Sequence, residues 1–96
     1  MSTTTMSTGQ ILDLDRGRQV PLYAKRDIAL VRGEGVYLFD SEGRRYLDAM
    51  SNYGVAVLGH AHPRFTAAVT DQLQTLTTCH QSFANDVRAE LLAELA

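Results

Sequence analysis

The side chains with chemistry to offer sit in a few short runs. His60-Ala61-His62 has the spacing of two metal ligands on adjacent loop positions, and a zinc site built on it needs at least one further His, Cys or carboxylate. Cys79-His80 offers a third and fourth ligand, but Cys/His sites are ordinarily built from paired C-x-x-C or H-x-x-x-H elements, which this sequence lacks. The spacing favours a structural reading, in which Gly59 turns the chain and His62 caps a helix opened by Pro63; no metal site is predicted. Cys79 beside His80 also has the composition of a thiol nucleophile and its base. That chemistry needs a readily ionised thiol and an orienting third group, and sequence neighbours rarely acquire the geometry of a dyad. Gly33-Glu34-Gly35 looks like the start of a phosphate-cradling loop, yet such loops join a strand to a helix and here a strand follows, so a hairpin turn explains it better. Asp40, Glu42 and Asp48 supply carboxylates near turns with nothing pairing them at acid/base spacing, and are read as turn and surface residues. Tyr53 lies in a glycine-containing loop between structured pieces, where scaffolds mount binding side chains; packing remains the alternative.

The elements that must carry these residues are legible in outline. Residues 10–16 hold Ile11, Leu12 and Leu14 beside Asp13 and Asp15, a pattern of one or two helical turns, and the Ser/Thr-rich residues 1–9 are expected to be a disordered tail. Residues 28–32 (IALVR) and 36–40 (VYLFD) are β-rich runs forming a hairpin. A second turn follows at Asp40-Ser41-Glu42-Gly43, where the aspartate can bond its own downstream backbone and Gly43 can take a positive φ. Residues 44–50 return as a third strand. Alternation places Val36 and Leu38 on one face of this meander and Tyr37 and Phe39 on the other, so both faces are apolar. Residues 51–62 are expected to be a loop with a short extended stretch at 55–58. Pro63 then opens a helix over 63–77 with Phe65, Val69, Leu73 and Leu76 as its apolar stripe. A last helix begins near Asn85 or Asp86 and carries Val87, Leu91, Leu92 and Leu95.

Composition narrows the class further. Ninety-six residues, 45% apolar, predict one compact unit, and a single cysteine allows no internal disulfide to reinforce it. A net charge of −2 without a dense basic block lacks the cationic footprint of a nucleic-acid binder. No apolar run approaches the ~20 residues that span a bilayer, and the first residues lack a signal peptide's basic and apolar regions, so a soluble, cytoplasmic chain with no membrane partner is expected. The final helix lacks a closing Gly, Asn or basic residue and its apolar stripe runs to the last residues, which predicts a piece of a longer protein.

Three ordered runs carry a resemblance. They are residues 30–40 (LVRGEGVYLFD), 42–48 (EGRRYLD) and 58–63 (LGHAHP), and together they resemble the opening of class III pyridoxal-phosphate aminotransferases, within them the acetylornithine, ornithine and LysW-aminoadipate-semialdehyde group. The resemblance covers about residues 20–95 and implies an α+β fold. Residues 1–19 would be a flexible N-terminal arm, and residues 20–96 the N-terminal part of the small domain of a fold type I enzyme, a three-stranded antiparallel meander with helices, ending before the large cofactor-binding domain. It implies amino-group exchange between an amino-acid substrate and the glutamate/2-oxoglutarate pair, in a homodimer. The cofactor, pyridoxal 5'-phosphate, would be held by a lysine, an aspartate at its ring nitrogen and a glycine- and serine-rich turn, none of which this chain supplies. Its only lysine, Lys25, precedes the first strand, where the family does not place its cofactor lysine. No catalytic or cofactor-binding residue is therefore assigned, and the chain alone is expected to be inactive.

One site residue transfers. Tyr53, in Ser51-Asn52-Tyr53-Gly54, matches a tyrosine that in ornithine-type members lines the substrate pocket and can bond the distal end of an amino-acid substrate. The sequence departs at Phe83-Ala84, where ornithine aminotransferases carry an aromatic after the phenylalanine; the smaller side chain favours acetylornithine or LysW-linked substrates over ornithine. The reading from a different class is a non-catalytic small α+β module that docks through uncovered apolar surface, or a degenerate gene fragment.

Overall fold

In the computed structural model, which describes residues 5–96, the first element is helix α1 (Thr8–Arg18). Ser7 opens it with a capping box: Gln10 N–H donates to Ser7 Oγ at 3.2 Å and Ser7 N–H to Gln10 Oε1 at 2.9 Å. Arg16 and Arg18 complement the helix dipole in the last turn. The helix thus begins inside the stretch expected to be a tail, residues 1–4 of which lie outside the described residues, and it runs past the expected 10–16.

Three strands follow, β1 (Leu30–Glu34), β2 (Tyr37–Asp40) and β3 (Arg45–Leu47), in an antiparallel sheet of order β1-β2-β3, as the meander reading requires. The first turn differs from expectation. Glu34 pairs with Tyr37, so Gly33 and Glu34 belong to the strand, and Gly35-Val36 makes the turn with Gly35 at φ +58°. The second turn is as expected. Asp40 Oδ1 accepts from the N–H groups of Glu42 (2.9 Å) and Arg44 (2.8 Å), and Gly43 sits at φ +82°. Asp40 Oδ2 accepts from Tyr46 Oη at 2.9 Å; this carboxylate is 6% exposed, so the surface reading of Asp40 is corrected. The bond to the Asp40 carboxylate raises the Tyr46 pKa above the ordinary phenol value.

Cross-strand partners share a face, which places Arg32, Phe39 and Arg45 with Glu34, Tyr37 and Leu47, and Gly33, Leu38 and Tyr46 on the other side. On the first face the Arg32 guanidinium lies 3.7 Å from the centre of the Phe39 ring and that of Arg45 lies 4.5 Å from Tyr37. Guanidinium groups thus stack on both aromatic rings of the Tyr37/Phe39 face, which sequence alternation alone does not report, while Leu47 on the same face stays 67% exposed. Val36 lies in the turn and does not join Leu38. The third strand is shorter than the expected 44–50: Asp48 N–H still reaches Val36 O at 2.8 Å, and the chain turns at Ala49, whose N–H bonds Leu47 O.

Helix α2 (Ser51–Gly54) follows β3, then α3 (Pro63–Thr75) and α4 (Asp86–Leu95). Pro63 opens α3 as expected, and the helix stops two residues early, with Thr77 Oγ1 donating to Leu73 O at 3.3 Å. Asn85 caps α4 by accepting from Arg88 N–H at 3.0 Å. The chain divides into two compact units, Met1–His62 and Pro63–Ala96, where composition predicts one. The reason is visible in the burial. No side chain of α1, α3 or α4 is buried, and among the described apolar residues Ala29 alone falls in the buried class.

Candidate functional site

The first unit's most constrained region is the excursion from Asp48 to His60. Asp48 follows β3, and its carboxylate joins both ends of the excursion: Oδ1 accepts from Ser51 N–H at 2.9 Å and Oδ2 lies 2.7 Å from His60 Nε2. An ionised carboxylate only accepts, so the proton of that bond belongs on Nε2. The His60 backbone is held as well, its N–H donating to Gly35 O and its C=O accepting from Gly35 N–H, both at 2.8 Å. Two glycines make room. A Cβ on Gly33 would stand 2.6 Å from His60 Cβ, and one on Gly59, at φ +75°, would stand 2.8 Å from Gly35 O. Of the G-x-G run, Gly33 thus admits the histidine and Gly35 supplies the positive φ of the hairpin turn, with strand rather than helix on its far side.

The Asp48 side chain is 9% exposed and that of His60 26%, which corrects the surface reading of Asp48. The His60 hydrogen bond, followed by the Ser51 N–H bond, lowers the Asp48 pKa below the ordinary 3.8 against the opposing effect of burial. A lowered carboxylate pKa means that the pair's contribution is present above 3.8 and fades as pH falls through the lowered value. Carboxyl NMR of the complete gene product with labelled aspartate should show an Asp48 midpoint below 3.8 that moves back toward 3.8 in His60→Ala. A native midpoint at or above 3.8 contradicts the bond.

Between these ends lies Tyr53. Ser51, Asn52 and Tyr53 take φ values of 51°, 51° and 59°, and Gly54 takes 83°, so α2 is a left-handed turn. It closes with Gly54 N–H on Met50 O (3.2 Å) and Val55 N–H on Ser51 O (2.8 Å). Left-handed conformation costs an ordinary L-residue ~1–2 kcal/mol, and only Asn52 and Gly54 tolerate it readily. The loop expectation for 51–62 holds, but its extended stretch at 55–58 does not: Val57 N–H bonds Val55 O and Gly59 N–H bonds Ala56 O, so the chain turns there. The Tyr53 side chain stands at the tip of this turn, with the residue 86% exposed.

The remaining candidates are not drawn into one site. His80 Nδ1 is 2.9 Å from Ser82 Oγ, and among the described residues no three His, Cys, Asp or Glu side chains converge as metal ligands. The Cys79 thiol points to the carbonyls of His80 and Phe83 at 3.7 and 4.0 Å. Phe83 closes a turn on His80 O ahead of the α4 cap. Lys25 Nζ lies 3.3 Å from Asp15 Oδ1. Sequence reasoning missed the Asp48–His60 pair, although both belong to the runs that carry the family resemblance. No helix of the described residues is long and apolar enough to cross a membrane.

Known proteins can now be set beside this geometry. The family model described as Aminotransferase class-III matches residues 22–96. A putative [LysW]-aminoadipate semialdehyde/glutamate semialdehyde transaminase of Pyrococcus abyssi is 47% identical over 75 residues, 78% of this chain and 20% of that protein. An ornithine aminotransferase of Bordetella pertussis is 46% identical over 74 residues, 77% of this chain and 18% of the relative. The crystal structure of the acetylornithine aminotransferase from Elizabethkingia anophelis superposes with a TM-score of 0.88 at 28% identity, over 95% of this chain and 24% of the other. The chain spans about a fifth of the length of the curated relatives it matches.

Proposed function

This chain belongs to the class-III aminotransferase family, and on that premise we propose that it is the N-terminal part of the small domain of a pyridoxal-phosphate transaminase. Its amino substrate is N-acetylornithine, a LysW-linked lysine/aminoadipate semialdehyde or a related ω-amino compound, and its acceptor is 2-oxoglutarate. The enzyme works as a cytoplasmic homodimer in arginine or lysine biosynthesis. The observation that carries the reading is identity of 46–47% across about three quarters of the chain to proteins named as [LysW]-aminoadipate semialdehyde transaminases, beside 46% to an ornithine aminotransferase and 42% to an acetylornithine aminotransferase.

The cofactor does not fit the residues present. The only lysine is engaged by Asp15, and the Ser7-Thr8-Gly9 start of α1 is filled by its own capping box, which takes the N–H a phosphate would need. Asp86 puts a negative charge in the first turn of α4, which repels a phosphate. Pyridoxal phosphate, where bound, supplies the electron sink for amino-group exchange; among the described residues neither Lys25 nor the starts of α1 and α4 suit it, and the 96 residues alone are inactive.

What this chain does supply is recognition. Tyr53, lifted on the left-handed turn, bonds the distal end of the amino donor, and the departure of the sequence from ornithine aminotransferases at Phe83-Ala84 favours a long or carrier-attached one. The test is steady-state transamination by the complete gene product with 2-oxoglutarate and N-acetylornithine, ornithine or LysW-linked lysine as donor. Glutamate release should be fastest with an acylated or carrier-linked donor. Release from ornithine with kcat/KM above both contradicts the substrate choice, and no release from any of them contradicts the reading.

A further inference from the structure

The Asp48–His60 pair ties the two ends of the Tyr53 loop together through side chains, alongside the backbone bonds that close the turn itself and the one from Asp48 N–H to Val36 O. Asp48 Oδ1 holds Ser51 N–H, the first residue of the left-handed turn, two positions from Tyr53. Oδ2 holds His60 Nε2, twelve residues away, across the neck of the excursion. His60 is in turn anchored by two backbone bonds to Gly35 at the β1–β2 turn and seated over Gly33, where no other residue type leaves room. A rigid sheet edge is thereby connected through one imidazole and one carboxylate to a turn whose residues would not adopt positive φ unaided.

We propose that Asp48 and His60 form a positioning clasp that sets the place of the Tyr53 phenol, and so act on amino-donor binding through Tyr53 without touching substrate. This rests on the reading of Tyr53 as the donor contact. Opening the clasp frees Ser51 N–H and lets the turn relax toward right-handed or extended conformations, which displaces the phenol while leaving cofactor chemistry elsewhere untouched. The effect therefore falls on donor KM and spares kcat.

The experiment is a double-mutant cycle in the complete gene product, with Tyr53→Phe, His60→Ala and the pair, reading donor KM and kcat. Tyr53→Phe should raise donor KM about threefold to tenfold, the range for one lost hydrogen bond. His60→Ala should raise it by a similar factor with kcat held within about twofold, and should add almost nothing once Tyr53 is Phe. If His60→Ala does not fold, Asp48→Asn keeps the shape of the carboxylate and is read by the same criterion. An effect of the clasp variant that multiplies in full with Tyr53→Phe, or falls on kcat, or is absent while Tyr53→Phe raises KM, overturns the clasp and leaves the Tyr53 reading standing. Unchanged KM in Tyr53→Phe overturns the Tyr53 reading, and the clasp's role in binding with it.

Discussion

Gly59→Ala should destabilise the first unit by about 2–5 kcal/mol, the sum of ~1–2 for a left-handed alanine and ~1–3 for overpacking against neighbouring atoms. The new Cβ would meet Gly35 O at 2.8 Å and Gly35 C at 3.1 Å. Both are backbone atoms of the pair of bonds that anchors His60, so relief of the overlap must stretch those bonds. Gly35→Ala is the matched control. It also has positive φ, at 58°, but nothing lies within 4 Å of its added methyl, so it carries the conformational cost alone. Denaturation of the complete gene product should place Gly59→Ala well below Gly35→Ala in midpoint. Equal midpoints would show that the approach of Gly59 to Gly35 is not a fixed feature of the fold.

The contrast between these glycines shows what sequence alone could and could not convey. The turn at Asp40-Ser41-Glu42-Gly43 was legible because its bonds are local: the carboxylate reaches N–H groups two and four residues on. Pro63 and Asn85 mark helix starts for equally local reasons. Gly33 and Glu34 belong to a strand, although their composition suggests a turn, because Gly33 is required by a histidine twenty-seven positions away and not by its own φ. The Asp48–His60 pair is hidden in the same way, since its partners meet only when the neck of the excursion closes. Nothing in Ser51-Asn52-Tyr53 demands a left-handed path except the tolerance of Asn52 and the following glycine. Helix α1 is a different case, for its Ser7-x-x-Gln10 capping box was present in the sequence and marks the start that the apolar pattern alone placed too late. The stacked arginines follow from register, which fixes Arg32, Phe39 and Arg45 in one row.

The fold resemblance and the candidate residue therefore have different standing in the sequence. Three runs of residues identify the family because their spacing is set by the meander and the helix start. Tyr53 is singled out by its glycine-containing loop and given a role only by resemblance, and its geometry depends on a contact that periodicity does not report. On the proposed reading the division of labour follows: this chain would contribute the left-handed Tyr53 loop held by a carboxylate and an imidazole, and the cofactor lysine would come from elsewhere in the protein.

That division gives the second large effect, which is all-or-none. Borohydride reduction of the pyridoxal-phosphate-loaded complete gene product, followed by peptide mapping, fixes the cofactor to the lysine that holds it. The account predicts the pyridoxyl group on a lysine outside residues 1–96, with Lys25 unmodified and Lys25→Ala fully active. A pyridoxyl group on Lys25, together with loss of glutamate formation in Lys25→Ala, would contradict it.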